Sequence, residues 1–125
     1  MKYTILVIDD NINILKVISN HFKNDELFNI ITVQNSNQCL FIIKNIHIDA
    51  VICDLKLHED DIDGIELISL IRENDYKNPI IAMTGYDCNQ NYIEGVNITL
   101  IKPFNLDKLR KILLKYTTTL ECKCQ

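Results

Sequence analysis

Two adjacent aspartates, Asp9 and Asp10, end the first apolar run of the chain, which reads ILVIDDN at residues 5–11. Neighbouring carboxylates repel each other when both are ionised, unless a positive charge lies beside them. Three further groups capable of chemistry also follow apolar runs, namely Asp54, Thr84 and Lys102. Whether these side chains share one site depends on the elements that carry them.

Short apolar runs alternate along the chain with segments whose apolar residues are spaced three or four apart. The runs are rich in Ile and Val, which predicts strands buried on both faces at 4–8, 28–33, 49–53, 79–83 and 97–101. The segments between them predict helices that begin near Asn11, Ser36, Gly64, residue 87 and Asn105. The expected core positions of these helices are Leu15, Ile18 and Phe22; Leu40 and Ile43; Ile65, Ile68 and Ile71 or Arg72; Tyr92 and Ile93; and Leu106, Leu109 and Leu113.

Five strands that alternate with five helices predict an α/β fold. We expect a flavodoxin-like (βα)5 three-layer sandwich with a parallel sheet in the order 2-1-3-4-5. Ligands of such sheets bind outside the carboxyl ends of the strands, at the switch point between strands 1 and 3. The aspartate pair, Asp54, Thr84 and Lys102 follow strands 1, 3, 4 and 5, so they are predicted to converge there.

The residue types at this edge of the sheet indicate phosphoryl chemistry. Three clustered carboxylates need a cation, and ligation by oxygen alone favours Mg²⁺. Lys102 could hold an anion, and Thr84 could donate a hydroxyl hydrogen bond. A carboxylate can itself be the nucleophile and form an acyl phosphate. Asp54 is the candidate nucleophile, because it lies on the central strand.

Four motifs in this order resemble the receiver domain of two-component response regulators, the CheY-like family. The motifs are VIDDN, VICDLKL, AMTGY and IKPF, and the resemblance spans about residues 3–116. It implies that Asp54 is the phosphoacceptor, with Thr84 and Lys102 as its catalytic partners. It also implies a small residue after the threonine (Gly85) and a cis peptide before Pro103.

The same resemblance implies a Mg²⁺ site. Its ligands would be the carboxylates of Asp9, Asp10 and Asp54 together with the backbone carbonyl of Lys56.

A receiver domain implies particular partners and boundaries. We expect a stand-alone receiver domain at residues 1–118 and a C-terminal tail at 119–125. It would accept its phosphoryl group from a histidine kinase or a histidine phosphotransfer protein and signal through a protein partner. It would be a cytoplasmic monomer or weak dimer, and not an enzyme beyond its own phosphorylation and dephosphorylation.

Three features depart from the usual receiver pattern. The loop after Asp54, LKLHEDDIDG, is longer than the common form and lacks its proline. The stretch between Thr84 and Lys102 is shorter, which shrinks the fourth helix. Thr99 occupies the position three before the lysine, where the family usually has Tyr or Phe. These departures leave open a degenerate receiver that serves only as a phosphorylation-independent protein-binding scaffold.

Two other functions on the same fold are less well supported by the residues. A Mg²⁺-dependent phosphohydrolase would need an acid/base aspartate two residues after its nucleophile, where this chain has Lys56. A flavin-binding module would need a phosphate-binding loop rich in Ser, Thr and Gly after strand 1, and DDNIN is unsuitable for an anionic phosphate.

Composition narrows the function classes further. A chain of 125 residues fits a single domain, and its net charge of −4 argues against nucleic acid as a partner. No apolar run approaches the roughly 20 residues that span a membrane, and the N-terminal run is too short for a secretory signal. The cysteine count of five is odd, which favours reduced thiols in a cytosolic protein. Cys122 and Cys124 have no further metal ligands near them in the sequence.

Overall fold

Five parallel strands form a single sheet in the computed structural model, which describes residues 2–57, 62–85 and 93–124, with side chains described as far as residue 118. The strands are β1 (Tyr3–Ile8), β2 (Phe28–Val33), β3 (Ala50–Asp54), β4 (Ile80–Thr84) and β5 (Ile98–Ile101). Their order is β2-β1-β3-β4-β5, which confirms the predicted flavodoxin-like topology. Every predicted strand lies within one residue of its observed bounds.

Four helices are present in the described part of the chain: α1 (Ile12–His21), α2 (Ser36–Asn45), α3 (Gly64–Glu73) and α4 (Leu106–Cys124). Asn11 caps α1 as expected, because its side chain accepts a hydrogen bond from the amide of Asn13. The cap of α2 is Asn35 and not Ser36, which is the first residue of the helix. Short polar side chains at these positions satisfy amides that the first helical turn leaves unpaired.

The fourth predicted helix, at 87–95, falls mostly on residues 86–92, which lie outside the described residues. Its described end is a turn, in which the amide of Val96 bonds to the carbonyl of Ile93 and Gly95 has a φ of 88°. The last helix continues to Cys124 and so passes residue 118, where we expected the domain to end and a tail to begin. None of the described helices is long and apolar enough to cross a membrane.

The core consists of two apolar layers, one on each face of the sheet. Alternate residues of β1 point to opposite faces, with Leu6 and Ile8 in one layer and Ile5 and Val7 in the other. Helices α2 and α3 cover the first face, and α1 and α4 cover the second. The observed layers confirm the three-layer sandwich.

One detail of the predicted core is wrong. Ile65 is 51% exposed, and the buried positions of α3 are Gly64, Leu67, Ile68 and Ile71. Ile68 and Ile71 are buried as predicted, so the error concerns one position, which apolar spacing alone leaves open. In α2, Leu40 and Ile43 are partly buried and pack against the core, and Cys39 is fully buried.

Candidate functional site

The register of the sheet brings the predicted site residues to one edge. Ile8 of β1 pairs with Cys53 of β3, so Asp9 and Asp54 come next on neighbouring strands. On the other side of β3, Asp54 pairs with Met83 of β4. Thr84 and Lys102 then follow at the ends of β4 and β5, so that all four strands deliver polar side chains to the same edge.

Three carboxylates form a compact cluster at this edge. Oxygen atoms of Asp9, Asp10 and Asp54 all lie within 4.8 Å of one another. Asp9 is completely buried, and Asp54 is 6% exposed. One oxygen of Asp9 accepts a hydrogen bond from the amide of Asn11 (2.8 Å), and Oδ1 of Asp54 accepts one from the amide of Lys56 (3.2 Å). The structure therefore brings together the three carboxylates that the sequence singled out.

Lys102 reaches this cluster from the opposite side of β3. Its Nζ atom lies 2.9 Å from Oδ2 of Asp9 and 3.3 Å from Oδ2 of Asp54. Its amide donates to the carbonyl of Thr84 (2.7 Å), and the peptide bond to Pro103 is cis. The sequence identified Lys102 as an anion holder but gave no sign that it would bond to the aspartates themselves.

Burial and charge set the ionisation of the two central groups. Burial raises the pKa of Asp9, and the charge of Asp54 adds to this, although the Asn11 amide and Lys102 act in the opposite direction. Burial acts to lower the pKa of Lys102, but the hydrogen bond that its ammonium donates to Asp9 and the charges of both aspartates outweigh this effect, so the net shift is upward. Lys102 is therefore a firmly charged ammonium.

The donor set fits a hard divalent cation. Carboxylate oxygens are the ligands that Mg²⁺ prefers, and one ammonium leaves the three-carboxylate cluster with excess negative charge. Lys56 is an exposed residue directly after the buried end of β3 and Leu55. Its carbonyl stays a predicted ligand.

Gly64 is a site-supporting residue that the sequence analysis recognised only as the start of a helix. A Cβ atom built on it would lie 2.1 Å from the carbonyl oxygen of Asp54 and 2.5 Å from Cα of Leu55. Its amide donates to the carbonyl of Leu55 (3.0 Å). The start of α3 therefore packs directly against the backbone that carries Asp54, and only glycine fits there. The signal was the Asp63-Gly64 pair itself, in which a capping residue precedes a residue without a side chain.

The other side of the site borders a cavity lined by described residues. A Cβ atom on Gly85 would meet no described atom within 4 Å. Gly85 and Lys102 are part of the wall of a cavity of about 560 Å³ between α1 and the segment after β5. Its apolar wall includes Ile14, Val17 and Phe104.

A sequence model of the response regulator receiver domain matches residues 5–114, which is most of the chain. The chain belongs to this family. Its receiver domain is 31% identical over 120 residues to the sporulation initiation phosphotransferase F of Bacillus subtilis, covering 93% of this chain and 94% of that protein. It is also 33% identical over 115 residues to an NtrX-like response regulator of Rickettsia felis, covering 89% of this chain but only 24% of the relative. The chain thus spans about a quarter of the length of such relatives.

Solved structures show the same fold. The receiver domain of the Francisella response regulator 1452 superposes with a TM-score of 0.85, at 24% identity, covering 95% of this chain and 99% of that one. A CheY-like receiver domain protein from Methanospirillum hungatei gives a TM-score of 0.84 at 21% identity, covering 98% and 99% of the two chains. Receiver domains typically bind Mg²⁺ at an acidic pocket, and this structure has a cluster of three aspartates, Asp9, Asp10 and Asp54, that could hold a metal ion.

Proposed function

We propose that this receiver domain takes up a phosphoryl group on Asp54 in a Mg²⁺-dependent reaction and signals through a protein partner. The donor would be a phosphohistidine of a histidine kinase or of a histidine phosphotransfer protein. The observation that carries the proposal is the convergence of three carboxylates and the Lys102 ammonium at the carboxyl end of β3.

Each group has a distinct task in this proposal. A carboxylate oxygen of Asp54 attacks phosphorus, so that an O–P bond forms while the P–N bond to the donor imidazole breaks. The metal, when bound, neutralises charge on the phosphoryl oxygens. Asp9 and Asp10 would hold it together with Asp54 and the carbonyl of Lys56. The Lys102 ammonium would leave Asp54 and donate a hydrogen bond to a phosphoryl oxygen instead.

Thr84 completes the site beside the phosphoryl group. It is 1% exposed and ends β4, with Gly85 and its open surroundings directly after it. Its hydroxyl would donate to a phosphoryl oxygen.

The cavity with the apolar wall beside the site supports a protein as the phosphoryl donor. A small phosphate ester needs only the polar cluster, whereas a protein side chain must be carried in by a surface that docks next to it. Ile14, Val17 and Phe104 line the cavity, and Gly85 and Lys102 form the part of its wall that is next to the site. We also propose a cytoplasmic monomer or weak dimer. The odd cysteine count of five supports the compartment, because it favours reduced thiols, which persist in reducing compartments.

One departure favours a second candidate function, a protein-binding scaffold that works without phosphorylation. Thr99, on β5 opposite Ala82, stands where the family usually has a large aromatic side chain that changes position on activation. A scaffold of this kind would bind its partner without Asp54 taking up a phosphoryl group.

Phosphoryl labelling separates these functions. The protein is incubated with acetyl phosphate and Mg²⁺, and the phosphoryl mass is located by peptide mapping. We expect it on Asp54, with no labelling of Asp54→Asn and none of the wild type in EDTA. Asp63→Asn is the matched control, because it removes a nearby carboxylate outside the cluster while keeping an effective helix cap. Undiminished labelling of Asp54→Asn would place the nucleophile elsewhere.

A further inference from the structure

Strand β5 carries Lys102 to the site but is weakly held itself. Among the described strands it is the shortest, at 4 residues, and it lies at the edge of the sheet, where β4 is its one described neighbouring strand. Among its side chains only that of Leu100 is buried. The position of the Lys102 ammonium therefore depends on how firmly this short strand keeps its register.

The apolar pattern of β5 does not fix that register by itself. Ile98 and Leu100 point to the same face, because side chains two apart in a strand share a side. A shift by two residues would place Ile98 in the position of Leu100 and still bury an apolar side chain. It would also move Lys102 by about 7 Å along the strand, well out of reach of Asp9 and Asp54.

Asn97, directly before β5, makes hydrogen bonds that are specific to the observed register of the strand. Its side-chain oxygen accepts a hydrogen bond from the amide of Ile80 (2.9 Å), and its own amide donates to the carbonyl of Ile80 (2.9 Å). A side chain that pairs with one particular backbone amide of β4 would lose this bond in any shifted register. Asn97 therefore distinguishes the observed pairing from its two-residue alternative.

Arg72 holds Asn97 and the turn before it. Its Nη2 atom donates to Oδ1 of Asn97 (3.2 Å) and to the carbonyl of Gly95 (2.7 Å), which also accepts from Nε (3.0 Å). Nη1 donates to the carbonyls of Tyr76 and Asn78 (2.8 Å each). The guanidinium therefore links the end of α3 to the segment before β4 and to the segment before β5.

Gly95 makes this close contact possible. Its φ of 88° is in the left-handed region, and a Cβ atom there would lie 3.2 Å from Cγ of Arg72. At its other end, α3 begins at Gly64 against the backbone of Asp54. One helix therefore contacts the strand that carries Asp54 and the turn that leads into the strand that carries Lys102.

We propose that Arg72 and Asn97 are positioning residues for Lys102: they fix the register of β5 and so hold the ammonium beside Asp54. The effect on phosphoryl uptake rests on the proposed function, whereas the effect on the register does not. Neither residue is part of the carboxylate cluster.

Two readouts test the proposal, one of them independent of phosphorylation. The first is hydrogen exchange of the Lys102 amide, which bonds to Thr84, compared with amides of β1 and β3. The second is the rate of labelling by acetyl phosphate, resolved into its maximum rate and its dependence on donor concentration. The variants are Arg72→Met, Arg72→Lys and Asn97→Ala, and Asn97 is exposed enough for its variant to fold.

Arg110→Met is the matched control, because Arg110 is also a partly buried arginine in a charge-assisted contact but lies away from β5. In Arg72→Met and Asn97→Ala we expect the amide hydrogen of Lys102 to exchange about tenfold faster, after correction for global stability. We also expect the maximum labelling rate to fall about three- to tenfold. Arg72→Lys should recover part of both losses, since an ammonium can replace some of the donors.

The outcomes are distinct. One outcome is that the variants match Arg110→Met, at equal stability, both in the exchange rate of the Lys102 amide and in the rate of labelling. In that case Arg72 and Asn97 have only a general structural role and the proposal fails. If exchange rises while labelling is unchanged, Lys102 is not positioned through β5. If the wild type takes up no phosphate, the proposed function fails, and the exchange readout still decides whether the register is pinned.

Discussion

Lys102 and Asp9 lie 93 positions apart in the sequence, yet the ammonium donates to the Asp9 carboxylate at 2.9 Å. The aspartate is completely buried, and the lysine side chain is 21% exposed. The same ammonium is 3.3 Å from Asp54. Lys102 therefore balances part of the charge of the carboxylate cluster in addition to its proposed contact with a phosphoryl group.

Replacing Lys102 with Met should make the protein depend on Mg²⁺ for its stability. Removing one partner of a buried ion pair leaves an uncompensated charge, and we expect a loss of up to about 3 kcal/mol in the free energy of unfolding in EDTA. Mg²⁺ should restore more stability to the variant than it adds to the wild type, because a bound cation supplies the missing charge. Urea titrations with and without the metal measure both quantities.

The control for this experiment is Lys77→Met. Lys77 pairs with Asp75 at 3.6 Å, and both side chains are more than four-fifths exposed. Such a pair contributes little, so stability should change by less than about 0.5 kcal/mol with or without Mg²⁺. An equal loss for Lys102→Met in EDTA and in Mg²⁺ would show that metal and lysine do not share the task of balancing the cluster.

Two glycines near the site should respond differently to alanine. Gly64→Ala places a methyl group 2.1 Å from the Asp54 carbonyl oxygen, so α3 must move away from β3. We expect it to cost about 2–4 kcal/mol and to slow phosphoryl uptake, since the displaced backbone carries the acceptor. Gly85→Ala meets no described atom within 4 Å and should change stability by less than about 1 kcal/mol. Thermal unfolding and labelling rates measure the difference, and equal effects would contradict this account of Gly64.

The fold and the membership of the cluster were predictable from the sequence. Strands buried on both faces read as continuous Ile- and Val-rich runs, and parallel strands place their carboxyl ends at one edge. These two facts suffice to bring Asp9, Asp54, Thr84 and Lys102 together, because each follows its own strand directly. The family match over residues 5–114 confirms the family to which those motifs pointed.

The contacts that hold the site residues in place were not predictable in the same way. The contact of Gly64 with Asp54 and the bonds of Arg72 to Gly95 depend on how α3 packs on the sheet, and local sequence patterns do not encode that placement. One core position of α3 was misjudged for the same reason, with Leu67 buried where Ile65 was expected. The bond of Lys102 to Asp9 depends on side-chain reach across β3, which strand order alone leaves open.

The thiols of Cys39 and Cys53 should be inert in the folded protein. Both are completely buried, and burial, with the nearby Cys39, Asp54 and Asp9, raises the pKa of the Cys53 thiol well above its usual range. The thiolate is the reactive form, so alkylation by iodoacetamide at pH 8 should leave both unlabelled. Peptide mapping after labelling in denaturant provides the control. Rapid native labelling of Cys53 would show that the core behind Asp54 opens readily.

Asp25 ties the loop before β2 to α4. Its Oδ2 accepts a hydrogen bond from Nε of Arg110 (2.7 Å), and its Oδ1 accepts one from the amide of Leu27 (2.8 Å). The carboxylate is 9% exposed and the arginine 35%. The hydrogen bond from Arg110 lowers the pKa of Asp25 from its ordinary value of 3.8, although burial acts in the opposite direction.

Asp25→Asn should therefore destabilise the protein at neutral pH and not in acid. The folded-state pKa is below the unfolded one, so the ionised carboxylate stabilises the fold above pH 4 or so and loses this effect as the pH falls through the folded-state pKa. Asn still accepts from Leu27, which isolates the charge. We expect a loss of about 1 kcal/mol at pH 7 that disappears as the pH falls below the folded-state pKa of Asp25. Asp75→Asn, at an exposed pair, should show no such difference in urea titrations across this range. A loss that persisted unchanged in acid would mean that the Asp25 contact does not depend on its charge.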